Sequence, residues 1–187
     1  KMSQISASIG SHIPISIKDI YVPIRIWIEN NLINLSSNTD ISQITDNIYV
    51  GNISTGTNLE LLKEKGITHI ISALSHFSPP HPNDFEYLHI QCYDMEFQPI
   101  IMRFQESNIF IQNAIKGGGK VYIHCMCGVS RSITLTIAYL IRERTESITE
   151  ILEDIRCYRP IANPNPGFMN QLEKFQKEVG SRDKLLF

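Results

Sequence analysis

His124-Cys125-Met126-Cys127-Gly128-Val129-Ser130-Arg131-Ser132 sets a cysteine and an arginine six positions apart, with a glycine between them. The apolar run Val121-Tyr122-Ile123 leads in, and the helix-like run Ile133 to Ile141 leads out. This layout predicts a strand, a tight loop and a helix N-terminus. The first N–H groups of a helix have no intrahelical partner and attract anions. A run of N–H groups wrapped back onto that terminus makes a nest for a tetrahedral oxyanion. Cys125, at the base of the nest, feels the same positive potential, and its pKa should fall to within roughly 3.5–7.5. Arg131 can fork onto two phosphate oxygens, which lysine cannot do. Gly128 lets the backbone turn with no Cβ near the ligand. A thiolate beneath a phosphate held in this way points to phosphoryl transfer through a covalent intermediate.

Outward from this loop the chain reads as alternating strands and helices. Short strands are expected at Ile48–Val50, His69–Ser72, Tyr87–Cys92 and Val121–His124. Helices are expected at Leu59–Lys65, Ile100–Ile115, Arg131–Arg142, Ile148–Tyr158 and Asn165–Glu178. Phe104, Ile109, Ile111 and Ile115 are assigned to the apolar face of the second of these. Such alternation implies an α/β sheet, in which ligands bind beyond the C-terminal ends of strands. Cys125 stands at such an end. Residues 1–43 are rich in Ile, Ser and Asn and read as an N-terminal extension, either a flap on the domain or a segment that docks a partner. Residues 44–180 form the catalytic domain in this reading, and residues 181–187 a tail.

The loop is similar to the H-C-x-x-G-x-S-R-S phosphate loop of the cysteine-dependent dual-specificity protein phosphatases. Three further stretches resemble the same family in the same order. They are Ile44–Asn52 at the domain start, Asp94 placed 31 residues before Cys125, and Asn163–Leu172 at the entry to the last helix. The likeness covers roughly residues 44–178 and is nearest the small single-domain members. It implies a central mixed, mainly parallel sheet flanked by helices, as in protein tyrosine phosphatases. It also implies hydrolysis of phosphotyrosine and of phosphoserine or phosphothreonine in proteins, a signalling activity, with no metal or organic cofactor.

By this resemblance Cys125 is the nucleophile, Arg131 binds phosphate, and Ser132 hydrogen-bonds the thiolate and helps it leave. Asp94 is the general acid and then the base toward water, with Glu96 as its rival. Met126, Cys127, Gly128, Val129 and Ser130 supply the rest of the substrate-binding loop. His124 is structural, its ring bonded to backbone, and Asn163 braces the loop. Arg159 reads either as a contact for a second phosphate or acidic substrate residue, or as a solvated arginine. Cys127 stands where an alanine-like residue is common. It is inert, or pairs reversibly with Cys125 at a spacing that strains the bond. Cys92 is another candidate resolving thiol. A Cys-x-Cys metal site lacks supporting ligands.

Bulk properties narrow the function. A length of 187 residues suits one domain with a good core. A net charge of −2 and a pI of about 6.3 disfavour nucleic acid as partner. No apolar run approaches the ~20 residues of a spanning helix. Four cysteines at these spacings suggest no disulfide framework. With no leader or lipidation pattern read at either end, a cytosolic or nuclear protein is expected. Nothing in the chain sets an oligomeric state. The loop positions Met126, Cys127 and Val129 are uncharged, whereas phosphoinositide-specific relatives tend to carry lysines there. A protein substrate is therefore favoured over a non-protein phosphate ester, and the intact Cys125 and Arg131 favour an enzyme over a phospho-binding scaffold.

Overall fold

The computed structural model describes residues 40–183, with side chains to residue 180. Its elements are β1 (Ile41–Gln43), β2 (Ile48–Gly51), α1 (Ile53–Gly56), α2 (Leu59–Glu64), β3 (His69–Leu74) and β4 (Glu86–Gln91). A 3₁₀ turn (Ile100–Arg103) then leads into α3 (Phe104–Lys116), followed by β5 (Val121–His124), α4 (Arg131–Glu143), α5 (Ile148–Tyr158) and α6 (Pro166–Asp183). The strands form one sheet in the order β1-β2-β5-β3-β4. β1 runs antiparallel to β2, and the other three pairings are parallel. This is the expected mixed, mainly parallel sheet.

Strand alternation builds two cores, because successive side chains point to opposite faces. Ile48 and Val50 of β2, Ile71 and Ala73 of β3, and Val121 and Ile123 of β5 join the larger core with α3 to α6. Tyr49, Ile70 and Tyr122 face the other way and pack with Leu62, Ile67 and Phe85. β5 is buried along its whole length, as a central parallel strand must be. α4 is buried from Arg131 to Ile141. Its threonines do not strand polar atoms, since Thr134 and Thr136 donate their hydroxyls to Ser130 O and Ser132 O at 2.8 and 2.9 Å.

Local signals place the helix ends. Asn58 Oδ1 accepts from Leu61 N at the start of α2. Ser147 and Glu150 form a reciprocal capping box on α5. At α6, Asn165 Oδ1 accepts from Phe168 N at 2.9 Å, and Pro166 occupies the first turn, where a missing N–H is harmless.

Four expectations change. The helix read from Ile100 opens as a 3₁₀ turn and becomes α-helical only at Phe104. Ile109 does not join its buried face and is 46% exposed. At ~100° per residue Ile109 sits ~140° from Phe104, whereas Asn108 and Ile111 lie within ~40°. Those two are buried, and Asn108 Nδ2 donates to Ala138 O at 3.1 Å. The expected start of the domain at residue 44 falls inside the sheet, because residues 41–43 are its antiparallel edge strand. At the other end α6 continues to Asp183, three residues into the expected tail. The expected flap or docking segment over residues 1–39 lies outside the described residues.

Candidate active site

The loop from Cys125 to Ser130 joins the C-terminal end of β5 to the N-terminus of α4. Four consecutive carbonyls in it are tied back to the surrounding scaffold. Met126 O accepts from Ile53 N at 3.2 Å, an otherwise orphan N–H at the start of α1. Cys127 O accepts from Arg159 Nη2 at 3.1 Å, and Gly128 O from Arg159 Nε at 2.6 Å. Val129 O accepts from Asn163 N at 2.8 Å. No described peptide bond is cis. In a trans peptide the N–H points opposite to the C=O of the preceding residue. With these carbonyls held by the scaffold, the N–H groups of Cys127, Gly128, Val129 and Ser130 are turned to the opposite side of their peptide planes. Gly128 N–H donates to Cys125 Sγ at 3.2 Å.

Gly128 has φ +66°, where a side chain is strained. A Cβ there would also stand 2.5 Å from Gly51 O and collide with the Arg159 guanidinium. Both the conformation and the close approach call for glycine.

Ser130 is the N-cap of α4, yet its side chain makes no capping bond. A serine in this position ordinarily accepts from an N–H of the first turn. Here its hydroxyl donates to Asp94 Oδ1 at 2.7 Å and accepts from Asn165 N at 3.1 Å. That leaves the end of α4 open to an anion.

Cys125 is buried, with Sγ 3.4 Å from Ser132 Oγ. Burial, the largest single influence, pushes its pKa up. The Arg131 charge, the Ser132 hydroxyl and the Ser132 N–H together outweigh burial and the opposing Asp94, so the thiol ionises below its ordinary value. Arg131 is 2% exposed, and its Nη1 donates to Cys92 O at 3.3 Å. Its Nε lies 3.9 Å from Asp94 Oδ2. Asp94 follows β4 on the facing loop, and Oδ1 also accepts from Asn165 Nδ2 at 2.9 Å. Asp94, Arg131, Ser132 and Cys125 are thus gathered at one end of the sheet. The rival Glu96 is exposed two residues further on.

His124 is fully buried, and Nε2 lies 2.7 Å from Ser72 Oγ. This side-chain contact adds to the expected ring-to-backbone interaction, because the β3–β5 register sets Ser72 opposite His124. Burial, ahead of a backbone contact from Cys125 that opposes it and the charges of Arg131 and His89 that add to it, lowers His124 to about 4. The ring is neutral at physiological pH.

The reading of Arg159 as a solvated arginine is overturned. It is 2% exposed, so it is not solvated, and its guanidinium is taken up by protein partners. Besides the two loop carbonyls, it holds Asp40 with both Nη atoms at 2.7 and 2.8 Å. Asn163 meets the loop through its backbone N–H, which donates to Val129 O. Sequence reasoning did not find Ser72, Asp40 or Asn165, which meet their partners only once the sheet is assembled. All four cysteines are thiols, with Cys92 and Cys125 buried and the Cys127 and Cys157 side chains exposed.

A cleft of about 780 Å³ opens beside Asp94. Its walls include Phe97, Val129, Ser130, Pro164 and Met169. Phe97 is 61% exposed in it. Gly167 lets α6 approach this wall, since a Cβ there would fall 2.5 Å from the Glu96 backbone.

The profile of the dual specificity phosphatase catalytic domain matches residues 48–178. Dual specificity protein phosphatase 1B of Arabidopsis thaliana is 35% identical over 145 residues, 78% of this chain and 87% of that protein. Dual specificity protein phosphatase 15 of Mus musculus is 40% identical over 136 residues, 72% of this chain and 57% of that protein. The crystal structure of DUSP15 superposes with a TM-score of 0.70 at 34% identity, covering 76% of this chain and 96% of that one.

Proposed function

The chain belongs to the dual-specificity protein phosphatase family, and from that premise we propose that Cys125, Arg131, Asp94 and Ser132 carry the hydrolysis of phosphotyrosine and phosphoserine or phosphothreonine in proteins. The observation that carries this assignment is the set of four tied-back carbonyls above Cys125. They preorganise inward N–H groups for the charge of a phosphoryl group in transfer.

In the first step a lone pair of the Cys125 thiolate forms an S–P bond in line with the breaking P–O ester bond. The departing serine, threonine or tyrosine oxygen takes a proton from Asp94. Arg131 and the loop N–H groups hold the three non-bridging oxygens. In the second step water attacks phosphorus and gives its proton to the Asp94 carboxylate. The S–P bond breaks, and Cys125 leaves as a thiolate that accepts from Ser132. The products are the dephosphorylated protein and inorganic phosphate.

The uncharged loop side chains and the cleft beside Asp94 support a peptide rather than a phosphoinositide substrate. A thiolate of this kind suits a reducing compartment, the cytosol or nucleus. Among the described residues no helix is long and apolar enough to cross a membrane.

Matched phosphotyrosine, phosphothreonine and phosphoserine peptides, assayed near pH 6–7 with reductant and chelator, test the reading. Turnover should vanish in Cys125→Ser and fall about 10²-fold or more in Asp94→Ala. A folded wild type that binds phosphate analogues yet turns over no peptide would move the assignment to another phosphate ester or to a binding role.

A further inference from the structure

Arg159 is placed where its guanidinium governs the backbone of the phosphate loop. Nη2 bonds Cys127 O, and the N–H on the same peptide plane is that of Gly128, which donates to Cys125 Sγ. Nε bonds Gly128 O, the other end of the plane that carries the Val129 N–H. One side chain therefore sets two successive peptide planes, one of them in direct contact with the nucleophilic sulfur. Arg159 is itself held by Asp40, through both carboxylate oxygens, and by Ser42 Oγ at 3.3 Å. Asp40 and Ser42 lie at the sheet's edge strand, 117 to 119 residues away in sequence. Asp40 O also accepts from Asn52 N and Thr55 Oγ1, which fixes the carboxylate's own backbone against α1.

We propose that Arg159 is a positioning residue for the phosphate cradle, and that Asp40 acts through it to couple the first strand to the loop bearing Cys125. The geometry needs a planar fork. A lysine at 159 has one nitrogen, which can reach Asp40 or a carbonyl but cannot supply donors to both loop carbonyls and a carboxylate together. When the clamp is removed, the Cys127–Gly128 plane is free to rotate. The sulfur then loses a backbone donor that favours its ionised form. Arg131, Asp94 and Ser132, the other groups that act on the sulfur, and Tyr122 near it, are kept in substitutions at 159 or 40.

This inference rests on Cys125 being the thiolate of the proposed reaction, and its test needs no substrate. Thiolate absorbance near 240 nm is followed against pH for wild type, Arg159→Lys, Arg159→Ala and Asp40→Asn. Each is read as the difference from its own Cys125→Ser counterpart, and near-ultraviolet circular dichroism checks the fold. Wild type should ionise below the ordinary thiol range. If it does not, the proposed nucleophile fails, whatever Arg159 does. Given a low wild-type value, Arg159→Lys and Arg159→Ala should both move half-ionisation up by about one pH unit. Asp40→Asn should move it the same way by less. A folded Arg159→Lys that titrates like wild type overturns the clamp, because only the charge has been kept. A folded Asp40→Asn with the wild-type value removes the coupling to the first strand. If Arg159→Ala does not fold, these two milder variants still settle the matter.

Discussion

Ser130 gives its hydroxyl to Asp94 Oδ1 at 2.7 Å instead of capping the helix it begins. This one bond links the phosphate loop to the loop carrying the proposed acid, and Asn165, just before α6, reinforces it at 2.9 Å. Ser130→Ala should leave the thiolate in place and let Asp94 wander. A hydrogen bond to a charged group contributes about 1.5–3 kcal/mol, so kcat on phosphoserine and phosphothreonine peptides should fall about tenfold or more. An activated aryl phosphate, whose leaving group needs little protonation, should lose less. Equal losses on both substrates would show that Ser130 acts on phosphate binding, not on the acid.

Ser132 Oγ stands 3.4 Å from Cys125 Sγ, where it can donate to a departing thiolate. The contact matters most when the S–P bond breaks. Ser132→Ala should therefore slow the second step, with kcat down roughly 10- to 100-fold. Since the hydroxyl also helps ionise Cys125, the comparison belongs at a pH where the variant's thiol is ionised. Stopped-flow assays with an aryl phosphate should then show a burst of phenol followed by slow turnover. Loss of the burst itself would place Ser132 in the first step.

The phosphate loop was legible in the chain because its parts are contiguous. The proposed nucleophile, the glycine, the arginine and the helix start fall within nine residues, and each needs only local geometry. The supports were not legible, because each spans the fold. Asp40 and Arg159 are 119 residues apart, Asp94 and Asn165 are 71 apart, and Ser72 and His124 are 52 apart. An isolated aspartate or serine gives no sign of which strand will lie beside it. The order β1-β2-β5-β3-β4 brings Ser72 opposite His124, and that order is set by packing two cores at once. The three-residue strand Ile41–Gln43 escaped for a related reason, since an edge strand with one partner needs no alternation. Ile109 misled because three isoleucines at positions 109, 111 and 115 cannot share one helical face, and Asn108 took the buried place through its bond to Ala138.

His124 makes stability depend on pH. In the folded chain it stays neutral down to about pH 4, whereas unfolded it takes a proton at about 6.5. Between these values the unfolded state binds more protons, so the contribution is complete above pH 6.5 and is lost as pH falls toward 4. The difference amounts to roughly 3 kcal/mol. Urea unfolding at pH 7, 6, 5 and 4 should show this decline in wild type. His124→Asn should be less stable at pH 7 but should lack that part of the slope. An unchanged slope in the variant would assign the acid sensitivity to other groups.

Phe97 tests what the cleft beside Asp94 recognises. It is 61% exposed on the loop carrying Asp94 and lines the cleft together with Pro164 and Met169. A phosphoresidue seated at Cys125 brings its neighbours in the substrate chain past this wall. A bulky apolar neighbour would bury the ring, an effect worth about 1–1.5 kcal/mol at ~25 cal/mol per Å². Glu96, on the same wall, favours a basic residue over an acidic one nearby. Phe97→Ala should thus lower kcat/KM about 5- to 10-fold for phosphopeptides with leucine or phenylalanine beside the phosphoresidue. Peptides with glycine there, and small aryl phosphates, should change less. The split should appear mainly in KM, since a contact equally strong in ground and transition states leaves kcat alone. A uniform fall across all substrates would mean that Phe97 holds the Asp94 loop in place and does not read the peptide.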